Sequence, residues 1–596
     1  MEYRWFTGVK VLPLTLLVLA LLLVVACGSA AAPETDTSAP ATSAPPAAAA
    51  GTAVPAATAL PQVQAEKMVN PGKVTMLTAD FGAERFDSVF GSTDKNIRKH
   101  FHGNLISWDR SNGQMAFLPG IASKWELSSD AKTTTYTIRE GLKFHDGTDI
   151  TVEDVLWTLQ HTMGPQAAEY SKSSPGIRFS GLMDRIELGP GTNQVSLFTT
   201  EATPDLWVHS SENEGGASVT EIMPQRAHLN DEQELEAYEN QPVGAGPLKV
   251  VKHVPLELVA FERHDDFYYQ PANGFPTDKR VQFRQLDLRM VPEEATRAAA
   301  LQTGEADIAR VSLSNRQQVE GGGGRMVFSP ESAIIESHLW GCRDPQYPCH
   351  DQRVRQALNY ALDLELMRDR LFGGPEVMEI KGWGVITPST VGYSPDLDPV
   401  PFNPDRARQL FAEAGYKTPA NPSGKDFGKL IMNTYQDQVI PSLVEAAQLT
   451  ADVWKKELGI DAEVRVMDKT TYGQIRTLNV EDFDGTVSWV ANNTRMQGAG
   501  TLRLYYASPE MGGLRLLHRD PELFALAEQT LDQMNQLGFL ESADVFNSTY
   551  RRIREEAYQI SVGYVNAPWG VGTRIMTWEP YPVAEYASAL HTITLK

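Results

Sequence analysis

A stretch that cannot fold divides this chain. Residues 28–65 are mostly Ala, Pro, Thr, Ser and Gly and contain no aromatic residue. Such a segment buries too little apolar surface to offset the entropy lost on ordering, so it reads as a disordered tether. As a coil, its 38 residues span on the order of 35 Å. Folded structure is therefore expected from residue 66 onward. That is more chain than one hydrophobic core supports, and two or three globular units are expected. A hydrophobic fraction of 42% and a charged fraction of 21% are ordinary for a globular protein.

The tether follows an apolar run. Val11–Val25 is almost unbroken and comes after Arg4 and Lys10. Its length suits a signal-peptide core and falls short of the roughly twenty residues of a membrane span. The run ends Val24-Val25-Ala26-Cys27-Gly28-Ser29. This resembles a bacterial lipobox, a signal whose cysteine receives diacylglycerol and becomes the new N-terminus. The expectation is a signal peptide over 1–26 and a lipidated Cys27 with its tether over 27–65. Both place the protein outside the cytoplasm, lipid-anchored to a bacterial cell membrane at the cell surface or in the periplasm. The plainer alternative is an ordinary signal peptide with Cys27 incidental. No later stretch approaches twenty consecutive apolar residues.

Thiols oxidise outside the cytoplasm. Cys342 and Cys349 lie seven positions apart around Pro345 and Pro348, and a disulfide closing that small loop is expected, against two separate buried thiols. No Cys-x-x-Cys pair supports a zinc site. A formal net charge of −22 argues against a nucleic-acid partner.

Strand and helix patterns alternate through 66–596, the signature of an α/β architecture. Thr151 with Asp154 predicts a capped helix start, and Asn403-Pro404 another. Ser442 with Glu445 reads as a capping box for a helix that runs to Leu458 and stops at Gly459. Ile460, Ala462, Val464 and Val466 then alternate as a half-buried strand. Asp351 caps a helix whose apolar face is Val354, Leu358, Ala361 and Leu362. The run Gly321–Gly324 reads as a flexible junction, and Asp520-Pro521 as a helix start.

Several motifs follow one another in a recognisable order. Leu118-Pro119-Gly120-Ile121-Ala122-Ser123-Lys124-Trp125 leads into a β-branched strand at Thr133–Ile138. Then come Arg139-Glu140-Gly141-Leu142-Lys143-Phe144-His145-Asp146-Gly147 and Thr151-Val152-Glu153-Asp154-Val155. Gly244-Ala245-Gly246-Pro247, Gly304-Glu305-Ala306-Asp307-Ile308 and Asp351-Gln352-Arg353-Val354-Arg355-Gln356-Ala357-Leu358 come later. The set resembles the dipeptide, oligopeptide and nickel solute-binding family of ABC importers, family 5, over about residues 70 to 560. Each motif also has a scaffold reading: Asp146-Gly147 is a turn, and Arg355 and Asp363 read as salt-bridged surface or hinge residues.

The resemblance implies a type II, two-lobed α/β clamshell of the periplasmic-binding-protein kind. Lobe I would span 66–330 with an extra subdomain at about 106–240, lobe II 331–545, and 546–596 would return to lobe I. It further implies capture of a peptide-like or other oligomeric solute by lobe closure, with delivery to an ABC permease powered by a separate ATPase subunit. A monomer is expected. In peptide-binding relatives one segment reads Gly-Trp-x-Ala-Asp-Tyr, and its aspartate pairs with the ligand α-ammonium. The matching residues here are Ser488-Trp489-Val490-Ala491-Asn492-Asn493. The tryptophan is kept and the acid is replaced by Asn492. A neutral amide offsets less of the cost of burying an ammonium than a carboxylate does, which counts against a free-amine peptide and leaves room for a neutral, hydroxyl-rich solute such as an oligosaccharide, or for a blocked peptide. Trp489 could stack on a sugar or an apolar group or serve simply as core. Asn493, Arg495, Trp383 and Tyr505 complete the candidate ligand residues.

No catalytic motif accompanies the set. His-Glu-x-x-His, Gly-x-Ser-x-Gly and the phosphate loop are all missing. The expectation is a binding protein without enzymatic activity, cofactor or metal, in competition with a secreted hydrolase and with an adhesin or signalling receptor that reuses the fold.

Overall fold

Two long strands organise the molecule, Arg325–Leu339 and Gln559–Val571. They lie antiparallel to one another in the middle of an eleven-stranded sheet. The computed structural model describes residues 72–596 except 83, 89–94, 112–113, 168–178, 213–220, 228–231, 419–420, 438–439, 479, 493, 495, 497, 509–516 and 585. The chain divides into Met1–Met68 and Val69–Lys596; all that follows concerns the second unit. Cys27, Asn493 and Arg495, three of the expected functional residues, lie outside the described residues.

On one side of the long pair, Trp569–Val571 pairs with Ile308–Arg310, and Lys73–Thr78, Gln285–Met290, Leu258–Arg263 and Leu248–Val254 follow in order. On the other side, Ile334–Leu339 pairs with Thr486–Asn492, which is followed by Lys429–Tyr435 and Asp461–Met467. Among the described residues, only the two long strands join these halves within the sheet. The inner strands are buried on both faces, as strands under helices must be. Helix Leu443–Leu458, for example, packs on the last two and buries Trp454. Asp461–Met467 has one neighbour only and leaves Val466 52% exposed, so the alternation read from 460–466 belongs to an edge strand.

A separate four-stranded antiparallel sheet comprises Ala122–Leu127, Thr133–Ile138, Gln194–Thr199 and Met183–Leu188. Helix Val152–Met163 packs on it, opened by the expected Thr151–Asp154 capping box. The hallmark His145 is a clamp between distant segments. Gly244 N donates to its Nδ1 at 3.3 Å and its Nε2 lies 3.0 Å from Gly246 O. The ring is therefore the neutral Nε2–H tautomer, fixed by two backbone partners.

Four local readings change in three dimensions. Ser442 makes no cap, because its hydroxyl donates to the carbonyl of Leu371. The run Gly321–Gly324 is a close-packed corner: a Cβ at Gly322 would stand 2.7 Å from Gln302 Cα, and one at Gly324 2.6 Å from Val571 O. Arg355 is buried rather than on the surface and bonds Glu556, while Asp363 caps the next helix through Leu366 N.

Pairing of the two long strands breaks between Ser329 and Ala333. Glu331 occupies the left-handed region there at φ 51°. The bulge is tied on one side to Ala584 and Val583, by Ser332 Oγ→Ala584 O and Val583 N→Pro330 O, both 2.9 Å. On the other side the Glu331 carboxylate accepts from Ser389 N and Oγ at 2.9 Å.

Candidate functional site

Lys429–Tyr435 runs parallel to both Asp461–Met467 and Thr486–Asn492, so Tyr435, Met467 and Asn492 end at one edge of the sheet. In such sheets ligands bind outside the carboxyl ends of the strands. Asn492 is the last residue of its strand, and its Nδ2 donates to Glu336 Oε1 at 2.9 Å.

Glu336 lies fully buried on the first long strand. Gln559 Nε2 donates to its Oε2 at 3.3 Å, and Tyr506 Oη donates to Gln559 Oε1 at 3.0 Å. His338 Nε2 sits 3.4 Å from Glu336 Oε1 without making a hydrogen bond. Burial alone would raise the Glu336 carboxyl, but the His338 ring, the Asn492 amide and the Arg476 guanidinium outweigh it and hold the pKa below the ordinary value. A carboxylate therefore stands beside Asn492 even though the local segment lacks one.

The other candidate residues fall into two groups. Tyr505 is buried, its ring 4.9 Å from that of His338 and its hydroxyl without a hydrogen-bond partner. Trp383, also buried with an unpartnered Nε1, lines a narrow space of about 10 Å³ with Tyr506, Tyr550, Ile553 and Gln559. Gln559 thus joins Trp383 to the Glu336–Asn492 pair. Gly384 is required beside it, since a Cβ there would approach Gln559 Oε1 to 2.6 Å. Trp489 is not brought to this cluster. It lies three residues before Asn492 in one strand, so it points to the opposite face, fully buried beside the register partner Ser337.

Sequence reasoning passed over Glu336, His338, Gln559 and Tyr506. A signal existed in Glu336-Ser337-His338, polar residues inside an apolar strand that pack no water-facing surface. Arg476 was also passed over. It lies on helix Lys469–Leu478, which starts just past the carboxyl end of Asp461–Met467. Its guanidinium stands over the Tyr472 ring, 5.7 Å from the centroid. Tyr472 in turn packs on Tyr435 at 5.1 Å, and the Tyr435 hydroxyl bonds Ala491 N and O next to Asn492.

A second, polar cavity of about 60 Å³ is lined by Lys99, His100, His102, Glu212, Lys279 and Tyr581 among others. Its charges pair with one another: Lys99 and Arg98 with buried Glu221, Lys279 with Glu212. Among the described residues no group of three His, Cys, Asp or Glu is placed to hold a metal ion, and no helix is long and apolar enough to cross a membrane. Cys342 and Cys349 are joined in a disulfide.

Comparison with known proteins matches residues 116–511 to the family described as bacterial extracellular solute-binding proteins, family 5. Heme-binding protein A of Haemophilus influenzae is 24% identical over 382 residues, 58% of this chain and 64% of that protein. Glutathione-binding protein GsiB of Escherichia coli K12 is 26% identical over 380 residues, 62% of this chain and 65% of that protein. The chain thus spans a little under two thirds of the length of these relatives. The oligopeptide-binding protein AppA of Bacillus subtilis, solved in complex with a nonapeptide, superposes with a TM-score of 0.62 at 17% identity, over 88% of this chain and 99% of that one. It shares the expected two-lobed α/β fold. The family match covers roughly two thirds of the sequence, and the protein belongs to the bacterial extracellular solute-binding proteins, family 5.

Proposed function

We propose that this chain is the capture subunit of an ABC importer, held outside the cytoplasm by a lipid on Cys27. It closes two lobes on a peptide-like or other oligomeric solute and hands it to a membrane permease, while a separate ATPase subunit supplies the energy. Lobe I is 66–330 with its subdomain at about 106–240, lobe II is 331–545, and 546–596 returns to lobe I. The observation that carries this reading is the cluster at the carboxyl edge of Thr486–Asn492. It gathers Asn492, Glu336, His338 and Tyr505, with buried polar atoms of His338 and Tyr505 that no protein group satisfies. Buried polar groups are ordinarily hydrogen-bonded, and a solute would complete them. The names of the relatives, glutathione-binding and heme-binding, and the nonapeptide held by AppA favour a solute larger than a single amino acid.

A thermal-shift panel on the full chain in detergent tests the proposal. The panel holds random tetrapeptides, N-blocked peptides and neutral oligosaccharides. A bound solute at a hundred times its Kd stabilises by about 2.7 kcal/mol. Stabilisation by at least one class is expected; turnover of the bound material, or no shift with any class, would overturn it.

A further inference from the structure

The two halves of the fold also touch away from the strands that join them. Trp207, on the short turn Leu206–Ser210, packs its ring against Trp125 at 5.3 Å and Phe117 at 4.9 Å. These rings belong with the four-stranded sheet, which is fastened to the first half by the His145 clamp on Gly244 and Gly246, by Lys279 with Glu212, and by Tyr581 Oη→Asp109 Oδ1 at 2.8 Å. A ring from the second half stands edge-on to Trp207: Phe539, 6.0 Å away at 74°. Phe539 lies between helices Pro521–Leu537 and Ala543–Glu556. Those helices are fastened to the second half by Arg355 with Glu556, by Asn547 Nδ2→Gly392 O at 3.0 Å and by Arg554 Nε→Asp398 O at 2.9 Å. Leu537 and Leu540 on either side are half exposed, whereas Phe539 is only 2% exposed. Trp207 supplies part of its cover.

The same seam carries an opposing cost. Asp205, two residues before Trp207, is buried with Oδ1 lacking a hydrogen-bond partner, and so is the hydroxyl of Tyr550 on helix Ala543–Glu556. The two groups are near enough that, after burial, the Asp205 charge raises the Tyr550 pKa. A permanent core pairs such groups. Groups stranded when a seam is shut regain water when it opens. Aromatic burial favours the shut seam and the stranded pair favours the open one, which is the balance of a contact that makes and breaks. We propose that Trp207 and Phe539 form a latch that holds the two halves together before any solute arrives. Solute then enters through the open minority and is held by a form that is already populated. The latch builds on the solute-capture reading above but needs no solute for its test. Both residues act on the equilibrium between shut and open forms and are positioning residues.

The test follows backbone hydrogen exchange by mass spectrometry on the full chain in detergent, freed of co-purified solute by partial denaturation and dialysis. The readout is the peptide over 206–212, in which the amides of Val208, Ser211 and Glu212 are hydrogen-bonded. It belongs to the half opposite Phe539. From the worth of an aromatic pair in this geometry, Phe539→Ala should speed exchange of that peptide about two- to ten-fold. Tyr550→Phe removes a stranded hydroxyl and should slow it. A Phe539 that merely packs its own helices would loosen only those, so a change confined to 521–556 overturns the latch. Exchange of 206–212 in wild type at the rate of an unprotected chain overturns it as well. Unchanged or faster exchange in Tyr550→Phe does the same, and decides alone should Phe539→Ala not fold by far-UV circular dichroism. Loss of the latch leaves solute capture standing, because no solute enters this test; capture fails when the thermal-shift panel gives no shift.

Discussion

Asn492 and Glu336 act as one unit although 156 positions separate them. The pairing makes a sharp prediction. Asn492→Asp restores the acid usual in peptide-binding relatives, but here it sets a second carboxylate within hydrogen-bond distance of a buried one. Like charges so close cannot both stay ionised, and the shared proton binds with a raised pKa. The folded state then holds a proton that the unfolded chain releases, so stability is retained at low pH and lost as pH rises through that pKa. Relative to wild type, Asn492→Asp should be destabilised by about 1–3 kcal/mol at pH 8 and recover toward pH 5, as read from urea midpoints. A difference that does not change with pH would contradict it. The site was legible only in part. Trp489 and Asn492 stand out by resemblance, and a strand period of two already separates their faces. Glu336 could not be placed from sequence, because which strand lies beside Thr486–Asn492 is a non-local fact.

Elements whose ends depend on neighbours in sequence were readable. Thr151, Asp351, Asn403 and Asp520 each accept the backbone N–H expected of a cap, since a cap needs only its own first turn. Ser442 fails for the same reason turned around: a tertiary acceptor, Leu371 O, takes the hydroxyl that the local rule assigns to the helix. Arg355 shows how far an element can reach. From helix Gln352–Tyr360 it donates to Glu556 O and Oε2 and to the carbonyls of Cys349 and His350, and its guanidinium lies 3.9 Å from the Tyr558 ring centroid. It thus fastens the disulfide loop and two helices to the start of the second long strand. Arg355→Met leaves Glu556 half-bonded and three carbonyls short of a donor. A loss of about 3–5 kcal/mol is expected, measured by urea unfolding. A variant as stable as wild type would show that the pair contributes nothing net.

At the scale of the molecule, the α/β class followed from alternating patterns. The two long strands that join the halves did not. Ser329-Pro330-Glu331 carries a proline and a left-handed residue, which on local rules ends a strand, and only pairing across the whole sheet continues it. The same long-range assembly buries histidines on several separate segments, and this fixes how the protein responds to acid. Burial lowers the pKa of His100 and His518 to about 4 and of His145 and His591 to about 3. For His145 the structure shows why a proton is refused: Nδ1 accepts Gly244 N–H, and protonation would set two donors against each other. In the unfolded chain all four titrate near 6.5. Above that value neither state is charged and they leave stability unchanged. Below it the unfolded state binds the extra protons, so stability falls with pH, by up to about 1.4 kcal/mol per unit for each histidine. Glu239 opposes this. Burial raises it to about 7, so the folded state gains as pH drops through that value; Asp307, Glu331 and Asp484 are raised by burial in the same direction, but His102, His161 and His264 are lowered by it and add to the four. Unfolding free energy should therefore fall steeply between pH 6.5 and pH 5. His145→Gln should show a shallower fall over that interval, whatever its stability at pH 8. A wild-type profile flat down to pH 5 would mean that water reaches these rings in the folded state and that the clamp on Gly244 opens.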